Sequence, residues 1–498
     1  MRILVVGAGG YVGGRLVPRL LEAGHELTLV SRNAQLVASR FPETSVLAAS
    51  AFGQPALEGA AARAESVFVL PERLVRHGSR SCSEEITAAR VVGDVVAAAD
   101  RADGGRRRII HLGRMGDAPA GTPASRPGAS SDVGAALTAA GAATLELRAS
   151  LIVGSGSAAF DMVRKLADQF PIWITPTWVD AQSQPIAIRD VLAYLLAALD
   201  VDETGVVEIG GREVLTFGDM LTVYTHARGR QVRRIRVPVA APRLSDAWVS
   251  LVTPLPAGLA RSMIDRLMQG TVVREPYSAH MFDVRPMGYA DAVRLALERT
   301  SENRVETTWY DTFDSPRKGA RDTSQATEPG PVPSPEAVVG GRRLLIDRRT
   351  ADVVASPDRV FAVIERVGGP AGWPAGNIFW RIRGVMDRMV GGVGMRLGRR
   401  DQEHLRVGDA LDFWRVEIVD RPRRLRLRAE MRVPGLAWLQ YDVEPTAAGS
   451  RLVQTAYFDP HGVSGYAYWY LLLPVHIPIF AQTVRVLARR AQAKSRGL

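Results

Sequence analysis

The sequence predicts an α/β chain: a doubly wound parallel sheet, followed by a smaller α+β domain in which an antiparallel sheet grips a helix. Three observations predict it. A β-rich run, Ile3 to Val6, enters a glycine cluster, and apolar residues then recur at helical spacing (Tyr11, Val12, Leu16, Val17, Leu20, Leu21). Strand-like and helix-like segments alternate over the first 150 residues, the pattern of parallel βαβ units. Beyond residue 342, strand-like runs follow one another directly and a helical pattern closes the chain. At 498 residues the chain is too long for one core, so two or three domains are expected.

The opening turn carries the most chemistry. Its glycines are spaced G-x-x-G-x-x-G (Gly7, Gly10, Gly13), with Val12 where G-x-G-x-x-G would place its last glycine. A strand, a glycine turn and a helix start in this order make a dinucleotide-binding βα unit. Gly7 allows the tight turn, Gly10 lets a pyrophosphate approach the backbone, and Gly13 lets helix and strand pack closely. Phosphates would rest on unpaired N–H groups at the positive end of the helix dipole. The expected cofactor site comprises Gly7, Ala8, Gly9, Gly10, Tyr11, Val12 and Gly13. Ser31 and Arg32 join it from the second strand, and Leu70, Leu112 and Gly113 from later strand ends. An acid at the end of the second strand would accept hydrogen bonds from the ribose 2′-OH of NAD. The sequence there reads Leu29-Val-Ser-Arg32, and a guanidinium pairs with a 2′-phosphate that an acid repels, so NADP is expected over NAD.

The remaining elements follow in order. Strands are expected near 2–6, 26–30, 45–48, 66–70, 108–112 and 144–148, with a helix from Glu84 to Asp100. Asp117 to Ser131, rich in Pro, Gly, Ala and Ser, reads as a mobile loop over the cofactor side. Phe160–Gln169 reads as a helix, Gln184–Ile188 as a strand, and Asp190–Leu199 as a helix whose acid complements its dipole. Residues 1–300 form the first domain in this reading. Residues 301–341 form a flexible linker, because Asp314 to Pro335 carries five prolines and few large apolar groups. The second domain, 342–498, should run strand (343–348), helix (357–367), strands near 409–419, 423–433, 436–445 and 451–458, and a helix from about Ile477 to Lys494.

Composition excludes several function classes. The single cysteine, Cys82, allows no internal disulfide framework or thiolate zinc cluster, and eight scattered histidines suggest no metal site. The net charge of +11 comes from 63 basic residues, all arginine except Lys165, Lys318 and Lys494. Such one-sidedness reflects coding bias more than phosphate contacts, so nucleic acid is not an expected partner, and weak attraction to an anionic membrane surface is kept only as a minor alternative. Residues 1–6 already read as a core strand, so no signal peptide and a cytoplasmic location are expected. The apolar stretch Tyr466 to Val484 contains Pro474, His476 and Pro478 and reads as a poor membrane span.

Residues 1–300 resemble the atypical short-chain dehydrogenase/reductase proteins, near the NmrA-like proteins and the 39 kDa subunit of respiratory complex I. The residues carrying the resemblance are Val5–Gly13, Ile109–Gly113, Leu147–Gly156, Gln184–Val191 and Val207–Gly211. Residues 342–498 resemble the DUF2867 domain of the START/polyketide-cyclase helix-grip superfamily. That resemblance rests on Val390–Gly394, Gly408–Val416, Ala429–Trp438 and Tyr468-Trp-Tyr470. Together they imply a nucleotide cofactor without naming a substrate.

Catalysis is where residues and resemblance part. Ordinary short-chain dehydrogenases use Tyr-x-x-x-Lys, the lysine lowering the tyrosine pKa. This chain has no tyrosine between Tyr11 and Tyr194, and its only lysine before the linker is Lys165. His111 is the nearest general acid of suitable strength, although a lone strand-end histidine is more often a packing residue. Arg114 is a candidate for holding an anionic group. In the second domain, strand alternation places Asp412, Trp414 and Val416 on one face, making Asp412 a candidate acid or base if that face is inward. The blander reading has Asp409 and Asp412 capping or pairing with arginines. Trp373, Trp414, Trp438, Tyr441, Tyr468, Trp469 and Tyr470 could line a cavity for a hydrophobic small molecule. Two functions fit: an NADP-dependent oxidoreductase acting on a quinone-, isoprenoid- or lipid-like substrate, or a non-catalytic NADP-sensing regulator or assembly factor.

Overall fold

Apolar residues in continuous runs build the first sheet. Ile3, Leu4 and Val5 of β1 (Arg2–Val6) are all buried, as a strand covered on both faces requires. The computed structural model describes residues 1–48, 55–71, 78–116, 132–169, 172–236, 257–274, 280–311, 338–339, 342–389, 394 and 399–493. The expected loop at 117–131, residues 312–337 of the expected linker, Val390–Val393 and the Cys82 side chain lie outside the described residues. The chain divides into two units, Met1–Phe313 and Asp314–Leu498.

In the first unit, α1 (Gly13–Glu22), β2 (Glu26–Ser31), α2 (Ala34–Arg40), β3 (Ser45–Ala48), α3 (Pro55–Arg63) and β4 (Ser66–Val69) follow β1. Next come α4 (Gly78–Asp103), β5 (Arg108–Arg114), α5 (Asp132–Ala139), β6 (Ala143–Ala149), α6 (Ala158–Gln169), α7 (Ile188–Ala197) and β7 (Gly205–Ile209). The strands form one sheet in the order β7-β6-β5-β4-β1-β2-β3, every pairing parallel. The order reverses between β1 and β4, and the strand ends there open the crevice where ligands of doubly wound sheets bind. Leu16 and Val17 of α1 and Val191 and Leu195 of α7 pack with Ile110 and Leu147 on one face. Leu57 and Ala60 of α3, Val92 and Val96 of α4 and Leu137 of α5 pack with Val67 and Ile109 on the other.

Two expectations need correction here. Gln184–Ile188 is not one strand: Gln182–Ser183 pairs antiparallel with Leu215–Thr216, Ile186–Ala187 pairs parallel with Ile152–Val153, and Ile188 already starts α7. Pro185 between the pieces has no N–H to continue a ladder. The segment after the helix Tyr289–Ser301 (α8) does not open a linker. Thr307, Thr308 and Trp309 are buried in the first unit, Trp309 donating its Nε1–H to Asp161 at 2.9 Å.

The second unit runs β8 (Leu345–Val353), α9 (Pro357–Glu365), α10 (Asn377–Met389), β9 (Ala410–Leu411), β10 (Trp414–Asp420), β11 (Arg424–Ala429), β12 (Gly435–Thr446), β13 (Gly449–Pro460) and α11 (Gly462–Ala493). Its six strands form an antiparallel sheet in the order β8-β13-β12-β11-β10-β9. Helix α11 packs on β8, β13 and α9, which is the expected grip. It starts well before Ile477, and Pro474 and Pro478 lie inside it rather than breaking it. Trp469 stacks on Phe458 ahead of the prolines, and Ile479 and Phe480 are buried after them, so packing on both sides holds the helix through the lost N–H groups. By length and composition alone the helix is long and apolar enough to cross a membrane, a test that the core helix of a soluble protein also passes.

Candidate functional site

The glycine turn sits at the C-terminal end of β1, against the ends of β2 and β4. Gly7 has φ +91° and donates its N–H to Val30 O at 3.0 Å; a Cβ there would stand 2.3 Å from Leu70 O. A Cβ on Gly13 would stand 2.2 Å from Gly7 O, so helix α1 begins directly on the turn. The Gly10 N–H is turned inward to Gly7 O at 3.0 Å, whereas the N–H groups of Gly9, Tyr11 and Val12 meet no acceptor among the described residues. Unpaired amides at a helix start are the chemistry that holds a phosphate. Ala8 and Val12 are core residues. Tyr11 turns its side chain away from solvent, donating its hydroxyl to Ser155 O at 3.2 Å, and burial pushes its pKa up.

A buried arginine fixes this turn from behind, signalled in advance only by an arginine at a helical core position. Arg15 is 2% exposed. Its Nε donates to Thr307 Oγ1 at 2.8 Å and its Nη2 to Ser155 O at 2.8 Å and Thr307 O at 3.1 Å. Thr307 in turn donates its hydroxyl to Tyr11 O at 2.8 Å. The segment expected to be linker is thus part of the mounting of the turn.

At the end of β2, Ser31 is buried and its Oγ accepts the Asn33 N–H at 3.2 Å, while Asn33 caps α2 through Leu36 N–H. Arg32 between them is exposed. No carboxylate occurs from residue 31 to residue 36. Leu70 and Leu112 spend their side chains in the core. Gly113 is held against Glu146, whose Oε1 would lie 2.5 Å from a Cβ there.

The candidate catalytic groups are less favourably placed. His111 is buried in β5, donates Nδ1–H to Val69 O at 2.9 Å, and burial pushes its pKa below the ordinary histidine value. It sits as a packed, hydrogen-bonded strand residue, the blander of the two roles that the sequence leaves open. Arg114 ends β5, half-buried. Lys165 on α6 is half-buried with Arg164, Asp161 and Asp168 as its charged neighbours, and Tyr194 on α7 packs edge-on against Phe282. Sequence reasoning missed Glu146 and Arg148, a buried ion pair on β6 with Nε to Oε1 at 3.0 Å, register partners of His111 and Gly113. Polar residues at 144, 146 and 148 in a central strand were the available signal.

In the second unit Asp412 does not continue a strand. It has φ +57° in the turn between β9 and β10, so the expected alternation with Trp414 fails. Its Oδ2 accepts Trp373 Nε1–H at 2.9 Å and Gly369 N–H at 3.1 Å, and burial raises its pKa. These partners make it a loop clamp. Asp409 does pair with an arginine, accepting from Arg400 at 2.9 and 3.0 Å. Among the described residues no His, Cys, Asp and Glu group could hold a metal ion.

Comparison with known proteins bears on both units. The family model described as "NAD dependent epimerase/dehydratase family" matches residues 3–113, and "Protein of unknown function (DUF2867)" matches residues 341–483. The chain joins an NAD-dependent epimerase/dehydratase-type domain to a DUF2867 domain. A Streptomyces protein named 3-diazoavenalumate denitrifying reductase is 27% identical over 271 residues, 49% of this chain and 87% of its own length. Among solved structures, the Thermotoga maritima UDP-glucose 4-epimerase is 15% identical with a TM-score of 0.46, covering 61% of this chain and 99% of its own. The Bordetella bronchiseptica enzyme WbmG with NAD and UDP is 17% identical with a TM-score of 0.45, covering 62% and 97%. The epimerase/dehydratase-type domain is of an NAD(P)-binding, oxidoreductase-type class.

Proposed function

We propose that the chain is an NADP-dependent oxidoreductase acting on a hydrophobic substrate. The glycine turn carries this reading: its close backbone approaches leave no room for side chains, and it presents unpaired amides at a helix start. The residues present fit a dinucleotide, with the amides of Gly9, Tyr11 and Val12 holding the diphosphate and Arg32 the 2′-phosphate. When bound there, the coenzyme supplies a hydride. The chain's own part is to bind and orient: among the described residues His111 holds its Nδ1 proton on a main-chain carbonyl, and the half-buried Lys165 has Arg164, Asp161 and Asp168 as its charged neighbours. The substrate is therefore one that takes its proton from water, as a quinone does. The relative named as a reductase supports turnover over a purely regulatory role.

The DUF2867 domain supports an apolar ligand with a polar head. Phe458 faces α11 through Trp469, so alternation along β13 turns Gln454 to the same side, with Tyr441 as its register partner on β12. Both are fully buried, and neither the Gln454 amide nor the Tyr441 hydroxyl meets a hydrogen-bond partner among the described residues. A carbonyl or hydroxyl on a hydrophobic molecule would satisfy them. The direct test is Arg32→Glu. Calorimetry should show NADPH affinity falling by about tenfold or more with NADH affinity kept or improved; unchanged affinities for both would refute the NADP assignment. NADPH oxidation with a quinone panel, followed at the nicotinamide absorbance, decides between turnover and sensing.

A further inference from the structure

The DUF2867 domain exposes a large apolar surface on two neighbouring helices. On α10, Ile378 (66% exposed), Phe379, Ile382 and Met386 face solvent. On the first half of α11, Val463 (87%), Tyr466, Tyr470, Leu471 (78%) and Ile477 do the same. The helices are adjacent: Arg383 of α10 donates to the Tyr468 hydroxyl of α11 at 3.3 Å, and Gly376 just before α10 abuts Ile479. The two stripes therefore belong to one surface, far more apolar than scattered single residues would make it.

Charge says what covers it. From His461 to the end of the chain there is no Asp or Glu, and the only carboxylate on α10, Asp387, is fully buried. Residues 342–493 hold 24 arginines against 15 carboxylates, so most of the chain's +11 comes from this domain. Arg485, Arg489 and Arg490 are exposed on α11 just beyond its uncharged half. An apolar, tyrosine-bearing, acid-free face on a basic domain matches an anionic lipid surface, with aromatic rings at the headgroup level and arginines on the phosphates.

We propose that the DUF2867 domain docks on anionic membranes through the exposed faces of α10 and α11. The contact lies on the bilayer and does not span it. Helix α11 commits its other face to the sheet along its length, burying Trp469, Ile479, Phe480, Val484, Leu487 and Ala491, and insertion would tear that core apart. The inference stands apart from nucleotide binding, which uses the other unit.

The experiment is co-sedimentation of the full chain with vesicles of equal parts phosphatidylglycerol and phosphatidylcholine, beside phosphatidylcholine alone. The wild-type chain should pellet with the anionic vesicles and much less with the neutral ones. Leu471→Glu and Ile378→Glu should each weaken binding by about tenfold or more at an unchanged melting midpoint. Val354→Glu, at an exposed apolar residue of the same domain after β8, should bind as the wild type does. Light scattering of the same samples shows whether a second copy covers the face instead. Failure of the wild type to pellet, equal binding to neutral vesicles, full binding by Leu471→Glu, or an oligomer that Leu471→Glu dissociates would each overturn the proposal.

Discussion

Gly7→Ala tests the geometry of the turn most sharply, because two separable costs apply. Alanine at φ +91° pays for a left-handed backbone, roughly 1–2 kcal/mol. Its Cβ would also stand 2.3 Å from the main-chain oxygen of Leu70, so β1 and β4 must part, adding about 1–3 kcal/mol for overpacking. The sum is about 2–5 kcal/mol. Gly24 isolates the first cost, since it has φ +80° with nothing within 4 Å of its Cβ position. Amide exchange measured by mass spectrometry on peptides from β1 and β4 reports this region without interference from the second unit. At about 1.4 kcal/mol per tenfold, Gly7→Ala should speed exchange there by roughly thirtyfold or more. Gly24→Ala should be much milder, and NADPH binding should fail only in the first variant. Equal effects from the two substitutions would refute the close approach of Gly7 to Leu70.

Two further predictions concern titration. Burial raises the folded pKa of Asp412 above its unfolded value, so its charged form costs stability that the protonated form does not. Stability of the DUF2867 domain should accordingly decline as pH rises through the carboxylate range. Asp412→Asn, which suits φ +57° and still accepts both N–H groups, should flatten that decline in urea titrations, whereas Asp412→Ala should cost about 2 kcal/mol by orphaning the two donors. A steeper decline in the Asn variant would contradict the clamp. His111 has the opposite linkage. Its folded pKa is depressed below about 6.5, so the unfolded chain binds the extra proton and the first unit loses stability as pH falls below that value. An NMR titration of the His111 imidazole should give a midpoint below the ordinary histidine value, and an ordinary midpoint would show the ring to be solvated.

What the sequence made legible was whatever local chemistry dictates. The strand–glycine–helix start was readable because Gly7 and Gly13 are required by main-chain contacts only a few residues away or across one strand. The apolar strands were readable because both of their faces are buried. Residues 303–311 were misread because Thr307, Thr308 and Asp311 look solvated in sequence. Thr307 meets Arg15, Trp309 meets Asp161 and Thr308 meets Asp311, partners that lie far along the chain or depend on the fold. The two prolines of α11 were misread for a related reason: local rules break the helix, while packing against β8 and β13 restores it. No element was assigned to 377–389, where α10 lies, since its apolar residues face solvent rather than a core. Asp412 escaped alternation because a single left-handed residue resets the strand period.

The central claim is that a diphosphate rests on the main-chain amides between β1 and α1. Isothermal titration of the intact chain with NADPH and with NADH measures it directly. Saturable heat with both coenzymes, stronger with NADPH and abolished in Gly7→Ala, is the predicted result; no heat from either coenzyme in the wild-type chain would contradict the account.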